Sequence, residues 1–529
     1  MQKGKLQVWL PLLMSIMIIL GIFIGFSIRG NMPSKGIFYI EKRQPVKEVM
    51  EIIDSKYVDS VSADTMGMLA INGMLSKLDP HSVFMPSEAL QMSKEEIQGH
   101  FYGIGIEYFV YQDTMNVVNV LPGGPAARAG LQFGDKIIKV DDTTLNTANI
   151  VPSRIMKLLR GPAGTHVLVT ILRDHNQKQL NINREGIPIY SLDASYMITS
   201  TTGYIRLNKF SETTYKEFMQ AAEKLKKEGM KEMILDLRDN GGGILTEATD
   251  IADEFLDGDK LITYTTGVHS ARKEYRCKRE GIYETGKLVV LANEGTASAS
   301  EILIGALQDW DRATIIGRRS FGKGLVQEQF ELSDGSGLRL TVARYYTPLG
   351  RSIQKSYKDG NTVYNDELLK RFHYGELNSG DSIKHDTGKS FKTPGGKIVY
   401  GAGGITPDVF VPLDTLAFDK RLIQIYTKGE LGHFTYKDYL DNKKEFAGYK
   451  SALELERNFT VDEKRWSDFK KFANKDSIAL DIITPKFKNR IENEMKQYYA
   501  QHIWHMEGMY EVSNAEDPTI KKALEVIKK

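Results

Sequence analysis

The chain has a single cysteine, Cys277, in 529 residues. That excludes an internal disulfide framework and every zinc or iron–sulfur site built on a cysteine cluster. It does not exclude an oxidising compartment, because a chain this long buries enough core to fold without cross-links. Net charge is almost absent as well: 70 Lys and Arg against 68 Asp and Glu leave +2. No basic footprint of a nucleic-acid binder is visible in that balance. The 10 histidines include no HExxH or similar spacing, and no internal repeat is found. What remains is 41% hydrophobic and 26% charged, which excludes a mostly disordered, collagen-like or polytopic membrane chain. The length allows three or four domains at roughly 100–200 residues each.

One long apolar run is present. From Leu6 to Ile28 no residue is charged; Lys3 and Lys5 precede it and Arg29 follows. At about 1.5 Å per residue, some 20 helical residues cross a hydrocarbon core of roughly 30 Å, so the run is expected to be an uncleaved transmembrane anchor. A secretory signal peptide wants a shorter apolar core and a small-x-small cleavage site, which Ser27-Ile28-Arg29 does not supply. The flanking charges do not settle orientation. With no second span, the body is expected on one side.

Segments 1–36 read as anchor and linker, and 37–99 as a helical region with Val46, Val49, Ile53 and Tyr57 at helical spacing. From 100 to 186 short apolar strands (GIGIEYFV, NVVNVL, KIIKVDD, HVLVTILR) alternate with glycine turns. Residues 187–412 alternate strands and helices, as an α/β domain does, with 355–400 read as a solvated insertion. Residues 413–529 carry charged and aromatic helical runs.

Chemistry concentrates in three places. KLVVLANEGTASASEILIGAL reads as a strand, a tight turn and a helix. A hydroxyl at such a turn is presented outward beside unpaired N–H groups, and those amides with the helix dipole favour an acyl-transfer oxyanion. Ser298 is the nucleophile candidate; the same local argument serves Ser300 and Thr296, and a plain N-cap serves as well. For a base there are His81, in LDPHS, which reads equally as a capping turn, and Lys323, between Gly322 and Gly324. Desolvation would lower the lysine pKa and free its amine to take a serine proton. If a strand follows, Gln327 shares the Lys323 face and can hold the amine. The stretch Gly317–Lys323 mimics a phosphate-binding loop, but Gly324 stands where Ser or Thr should hold magnesium, and nucleotide binding is rejected. The third place is DLRDNGGG (236–243), whose glycines let amides near Gly242 or Gly243 approach a ligand. A plain tight turn explains it equally, and Asp236 with Arg238 reads as a structural ion pair.

Taken together, DLRDNGGG, GTASASEI and SFGKGLVQ, with YYTPLGRSIQ (345–354), GGITPDVFVP (403–412), LDPHSVFMP, FYGIGIEY and PGGPAARAGLQFGDKIIKVDD, resemble the carboxyl-terminal processing (tail-specific) serine peptidases. The resemblance covers about residues 40–412. It implies a crotonase-like α/β protease core with an inserted β-rich PDZ domain, an N-terminal helical region, the transmembrane anchor and a mainly helical C-terminal extension. It places Ser298 as nucleophile, Lys323 as general base, Gln327 as the residue that orients the lysine, and the amides of Gly242, Gly243 and Ala299 as the oxyanion hole, with no metal, nucleotide or other cofactor. Gly241 stands where the family often has proline.

Family members are typically exported, which implies an inner-membrane protein with its body in the periplasm or extracytoplasmic space. Tyr102-Gly103-Ile104-Gly105-Ile106 suits the loop that holds a peptide carboxylate, with Ile104 and Ile106 lining a pocket for an apolar terminal side chain. The partners implied are protein substrates with free apolar tails and the membrane, not nucleic acid; a homo-oligomer or an adaptor lipoprotein stays open. The alternative from another class is a catalytically silent PDZ scaffold.

Overall fold

The computed structural model describes residues 4–31, 45–111, 114–145, 151–383, 390–414, 416 and 419–529. They form two compact units, Met1–Met74 and Leu75–Lys529. The first holds helices Gly4–Asn31 and Pro45–Lys56 and nearly all of Ala63–Leu75. The apolar run falls in Gly4–Asn31, with Trp9, Leu13, Met17 and Phe23 exposed. No helix among the described residues is long and apolar enough to cross a membrane. The anchor therefore gains no support from the structure: the described side chains of this helix, from Trp9 to Gly25, fall short of the roughly 20 a span takes. The expected linker beyond it, 32–36, lies outside the described residues.

The second unit is built on a six-stranded sheet whose spatial order follows the chain: Leu192–Met197, Thr202–Leu207, Glu232–Asp236, Leu288–Ala292, Thr314–Gly317 and Val409–Phe410. The first pair is antiparallel and the rest parallel. Strands TGYIRL and LVVLA are buried at every residue, the signature of a sheet covered on both faces. Alternate residues divide between two cores. Leu235, Val290 and Ile315 meet Phe218, Ile251 and Leu303 of helices Thr214–Lys227, Leu245–Asp253 and Ala299–Asp309. Ile234, Val289 and Ile316 meet Ile520, Ala523 and Ile527 of the last helix, Pro518–Lys528. The end of the C-terminal extension thus completes the second core of this sheet.

A second sheet is centred on Gly337–Tyr346, which pairs antiparallel with Val83–Met85, Leu261–Thr266 and Leu325–Glu331. The β-rich insertion has the order Ile106–Tyr111, Thr114–Val120, Lys136–Val140, His166–Arg173, Asn176–Asn183 around a core that includes Val117, Ile137 and Val169. Its entry strand His100–Gly103 pairs with its exit strand Glu185–Pro188.

The extension folds on its own aromatic-rich core, which includes Phe446, Phe459, Phe469 and Tyr499. Its longest helix, Pro485–Glu516, breaks at Trp504 and at His505, whose φ is +58°. Phe109 and Tyr111 on the insertion meet His433 at tilted ring angles, each with centroids 4.8 Å apart.

The segment expected to be a solvated insertion is in large part structural. Tyr364, Arg371 and Leu377 are buried. Its charges are spent internally, Arg371 on Glu367 at 2.7 Å and Glu376 on Arg319 at 2.6 Å, which is why a charged composition did not mean exposure. Residues 384–389 of it lie outside the described residues.

Candidate active site

Strand Leu288–Ala292 runs into Asn293, whose side-chain carbonyl accepts the Asp239 N–H at 2.8 Å and whose amide donates to Asp239 Oδ1 at 2.8 Å. This ties the nucleophile turn to the glycine-rich turn. The three candidate hydroxyls now separate. Thr296 is fully buried and its hydroxyl donates to the Leu237 carbonyl at 2.8 Å; Ser300 is fully buried and donates to the Asn240 carbonyl at 2.9 Å. Both are structural. Ser298 opens on a cavity, and it sits just ahead of helix Ala299–Asp309 at φ 57° and ψ −116°. A non-glycine residue there carries about 1–3 kcal/mol of backbone strain, as a nucleophile elbow does.

The cavity, of about 630 Å³, is lined by Ser298, Lys323 and Gln327 and by Gly242, Gly243 and Ala299. All six residues expected at the catalytic centre therefore meet in one place. Lys323 leads into strand Leu325–Glu331, not a helix, as the rejection of a phosphate loop requires. Its Nζ donates to Gln327 Oε1 at 2.9 Å. Among the described residues no hydrogen bond joins Nζ to Ser298 Oγ. Burial holds the Lys323 pKa below the usual lysine value, and the charge of Arg339 lowers it further, against Glu301 and Asp79.

Gly242 has φ +94°, and a Cβ on it would lie 2.7 Å from Ser298 Cβ and 2.8 Å from the Ala299 nitrogen. Only glycine lets these two turns approach so closely. Its own N–H is already given to Asn240 Oδ1 at 2.9 Å, so Gly242 supplies shape rather than a donor. The N–H groups of Gly243 and Ala299 have no partner among the described residues.

Two residues that motif reading passed over hold the parts together. Glu301, fully buried, accepts four hydrogen bonds. The Ser298 N–H at 2.9 Å and the Lys323 N–H at 2.8 Å reach Oε2; the Gly322 N–H at 2.7 Å and the Ser320 hydroxyl at 2.5 Å reach Oε1. Burial raises its pKa, and these four donors oppose the rise. Tyr345, also buried, donates its hydroxyl to the carbonyls of Ser298, at 3.0 Å, and of Lys323. A glutamate three residues after a serine reads as a capping box, and only the Ser298 bond was legible in that pattern.

Asp236 and Arg238 lie outside this cavity and form the expected ion pair at 2.6 Å, joined by Arg206 at 3.1 Å. His81 does not line the cavity. Burial, and then the Lys323 charge, push its pKa down to about 4, so it is neutral and a poor proton acceptor near pH 7.

The five residues expected to hold a peptide are dispersed. Ile104 is 2% exposed and belongs to the insertion core, its carbonyl accepting the Ala126 N–H at 3.0 Å. Tyr102 is exposed and Gly103 pairs with Glu185. Gly105, at φ +76°, and Ile106 face a separate cavity shared with Leu121 and Trp504.

A hydroxyl on a strained turn, a part-desolvated amine and two unpartnered amides around one cavity are the parts an acyl-transfer hydrolase needs. Comparison with known proteins agrees. The model of peptidase family S41 matches residues 201–363 and that of a PDZ domain residues 103–183. The activating protease CtpB N-terminal domain matches 31–89, and a family of unknown function matches 422–505.

A carboxy-terminal-processing protease of Bartonella bacilliformis is 35% identical over 63% of this chain and 78% of its own. A probable CtpA-like serine protease of Staphylococcus aureus is 33% identical over 71% of this chain and 74% of its own. A solved photosystem II D1 C-terminal processing protease is 28% identical over 71% of this chain and 94% of its own, with a TM-score of 0.36. The protein is a serine-type peptidase. The chain belongs to peptidase family S41, among the carboxy-terminal-processing proteases.

One prediction arises from the electrostatics. Deprotonated Lys323 would be the base, so activity should rise with pH through its lowered pKa. Arg339 lines the cavity and donates to Ser93 Oγ at 2.8 Å. Arg339→Gln removes a positive charge that holds the Lys323 pKa down; that pKa should rise, and the increase in kcat/KM should move to higher pH. Superimposable pH profiles for variant and parent would contradict this.

Proposed function

We propose that the protein is a serine endopeptidase that cuts protein substrates near their C-termini with Ser298 and Lys323. The observation that carries this is the single cavity that gathers Ser298, Lys323, Gln327, Gly243 and Ala299. Lys323, as the neutral amine, takes the Ser298 proton while Oγ attacks the scissile carbonyl. The oxyanion accepts from the Gly243 and Ala299 N–H groups. The ammonium then gives its proton to the leaving amine, and a water activated by the same amine releases the acyl group and restores Ser298.

Gln327 holds Nζ between these events; the pair closes as the flexible lysine stem swings from Gln327 towards Ser298 when substrate enters. Phe210, Leu245, Ile302 and Leu325 give the cavity apolar walls, suited to an apolar side chain at the cut. Among the described residues strand Ile106–Tyr111 pairs only with Thr114–Val120, which leaves an edge to which a substrate tail can add as a strand. The charge-free run from Leu6 to Ile28 is the segment that would anchor the chain in the inner membrane, with the body on the extracytoplasmic side.

The test uses the full chain in detergent with an unstructured protein ending in apolar residues, products read by intact mass. The parent should cleave and Ser298→Ala should not. A substrate amidated at its C-terminus should be cut markedly more slowly, and a chain lacking residues 1–36 should leave the membrane fraction. No cleavage by the parent with tail binding intact would favour a peptide-binding scaffold, and equal cleavage of the amide would remove tail recognition.

A further inference from the structure

The Lys323–Gln327 bond has a second stage. Gln327 can offer its amide either way round, and only one way presents oxygen to a lysine. What selects it is the other end of the amide: Gln327 Nε2 donates to the main-chain carbonyl of His81 at 2.5 Å. We propose that His81, pinned by Asp79, is a positioning residue that orients the Gln327 amide and through it Lys323. This rests on the Ser298–Lys323 reading and extends it to a turn 246 residues away in the chain.

The turn is braced on both sides. Asp79, 7% exposed, accepts the His81 N–H at 2.9 Å, the Ser82 N–H at 3.1 Å and the Ser82 hydroxyl at 2.6 Å, and the Thr341 hydroxyl at 3.0 Å. Thr341 is the residue paired with Gln327 across the sheet, so the carboxylate ties the His81 turn to the strand next to the one that carries Gln327. On the other side the residue is held by its imidazole ring. Nε2 lies 2.7 Å from the Tyr364 hydroxyl, and the ring meets Tyr364 edge-on at 5.4 Å and Phe321 at 6.4 Å.

Phe321 and Tyr364 are in turn spanned by Lys355, whose Nζ lies 3.9 and 4.2 Å from the two ring centroids. The charged groups that act on His81 are Lys323, Asp79, Lys355 and Arg339; those on Lys323 are Arg339, Glu301 and Asp79. The turn thus commits one carboxylate, one imidazole and two aromatic rings to holding the backbone that presents this carbonyl.

The experiment is a double-mutant cycle on the full chain with His81→Ala and Gln327→Ala, reading kcat, KM and the acidic limb of the pH profile. His81→Ala should lower kcat roughly ten- to a hundredfold, the scale of a small misplacement of a reacting group, with KM little changed because His81 does not line the cavity. The acidic limb should move to lower pH, since a misaligned amide stabilises the ammonium more weakly than Gln327 Oε1 does. Added to Gln327→Ala, His81→Ala should cost almost nothing more.

Tyr364→Phe, which deletes a single oxygen, should shift kcat and the limb in the same directions by less, and it serves if His81→Ala does not fold. His81→Phe, which keeps the ring against Tyr364 and Phe321, should recover part of the lost kcat. Additive losses in the cycle, or an unmoved acidic limb, would overturn the positioning role while an inactive Ser298→Ala leaves the dyad standing. Full activity in Ser298→Ala would overturn the dyad and this proposal together.

Discussion

Lys323→Met should cut kcat/KM by about 10³-fold or more, within the range that a general base contributes, and leave the fold intact. Methionine keeps the length of the stem and fits a mostly buried site. The lysine it replaces sits where burial and Arg339 already disfavour its charge, so removing the charge costs no electrostatic stability. What the variant loses is the amine that accepts the Ser298 proton and the bond to Gln327 Oε1. The thermal midpoint should therefore hold or rise and apolar tails should bind as before, while the residual rate loses the pH dependence of the parent. Activity within tenfold of the parent would mean that another group takes the proton.

Glu301→Gln should show the largest loss of stability among single-atom changes at the site. The carboxylate oxygens each accept two donors: Ser298 and Lys323 N–H on one, Gly322 N–H and Ser320 Oγ on the other. A glutamine has one carbonyl oxygen, and its amino group would face donors whichever way it turned. One pair is orphaned in either orientation, at about 1–3 kcal/mol for each buried donor left unmade. If the orphaned pair is Ser298 and Lys323, both main-chain anchors of the catalytic groups loosen together and kcat should fall as well. Denaturant unfolding and kcat measured on the same preparation check this; a variant as stable and as fast as the parent would remove Glu301 from the account.

The contrast between Lys323 and Glu301 shows what the chain made legible. Ser298, Lys323 and Gln327 lie in short motifs whose order carries the resemblance, and although Lys323 precedes strand Leu325–Glu331 its amine still meets Gln327. Glu301 and His81 act across distance: Glu301 reaches donors 19 to 22 residues away, and the His81 carbonyl reaches Gln327 across 246. No local pattern encodes such pairings.

The burial of Ile104 was hidden for a different reason. Period-two reasoning assumes a continuous strand, but strand His100–Gly103 ends before it and Ile106–Tyr111 begins after it. Ile104 therefore sits in the break, where the bond from Ala126 draws it inward. The last helix was legible as a helical run; that its Ile520 and Ile527 finish the far face of the protease sheet could not be, because an amphipathic stripe says that a face is covered without saying by what.

The paired entry and exit strands of the PDZ insertion have a topological consequence. Gly103 and Glu185 are directly opposite each other, so the chain leaves the protease and returns to it through adjacent points of one ribbon. To the core that carries Ser298, everything from Ile104 to Arg184 is a single enlarged hairpin loop, and the entropy of closing it grows only slowly with the length inserted. A whole recognition module can therefore be lengthened, exchanged or swung on its ribbon without altering how the core strands pair. Its orientation is left to contacts made afterwards, such as those of Phe109 and Tyr111 with His433.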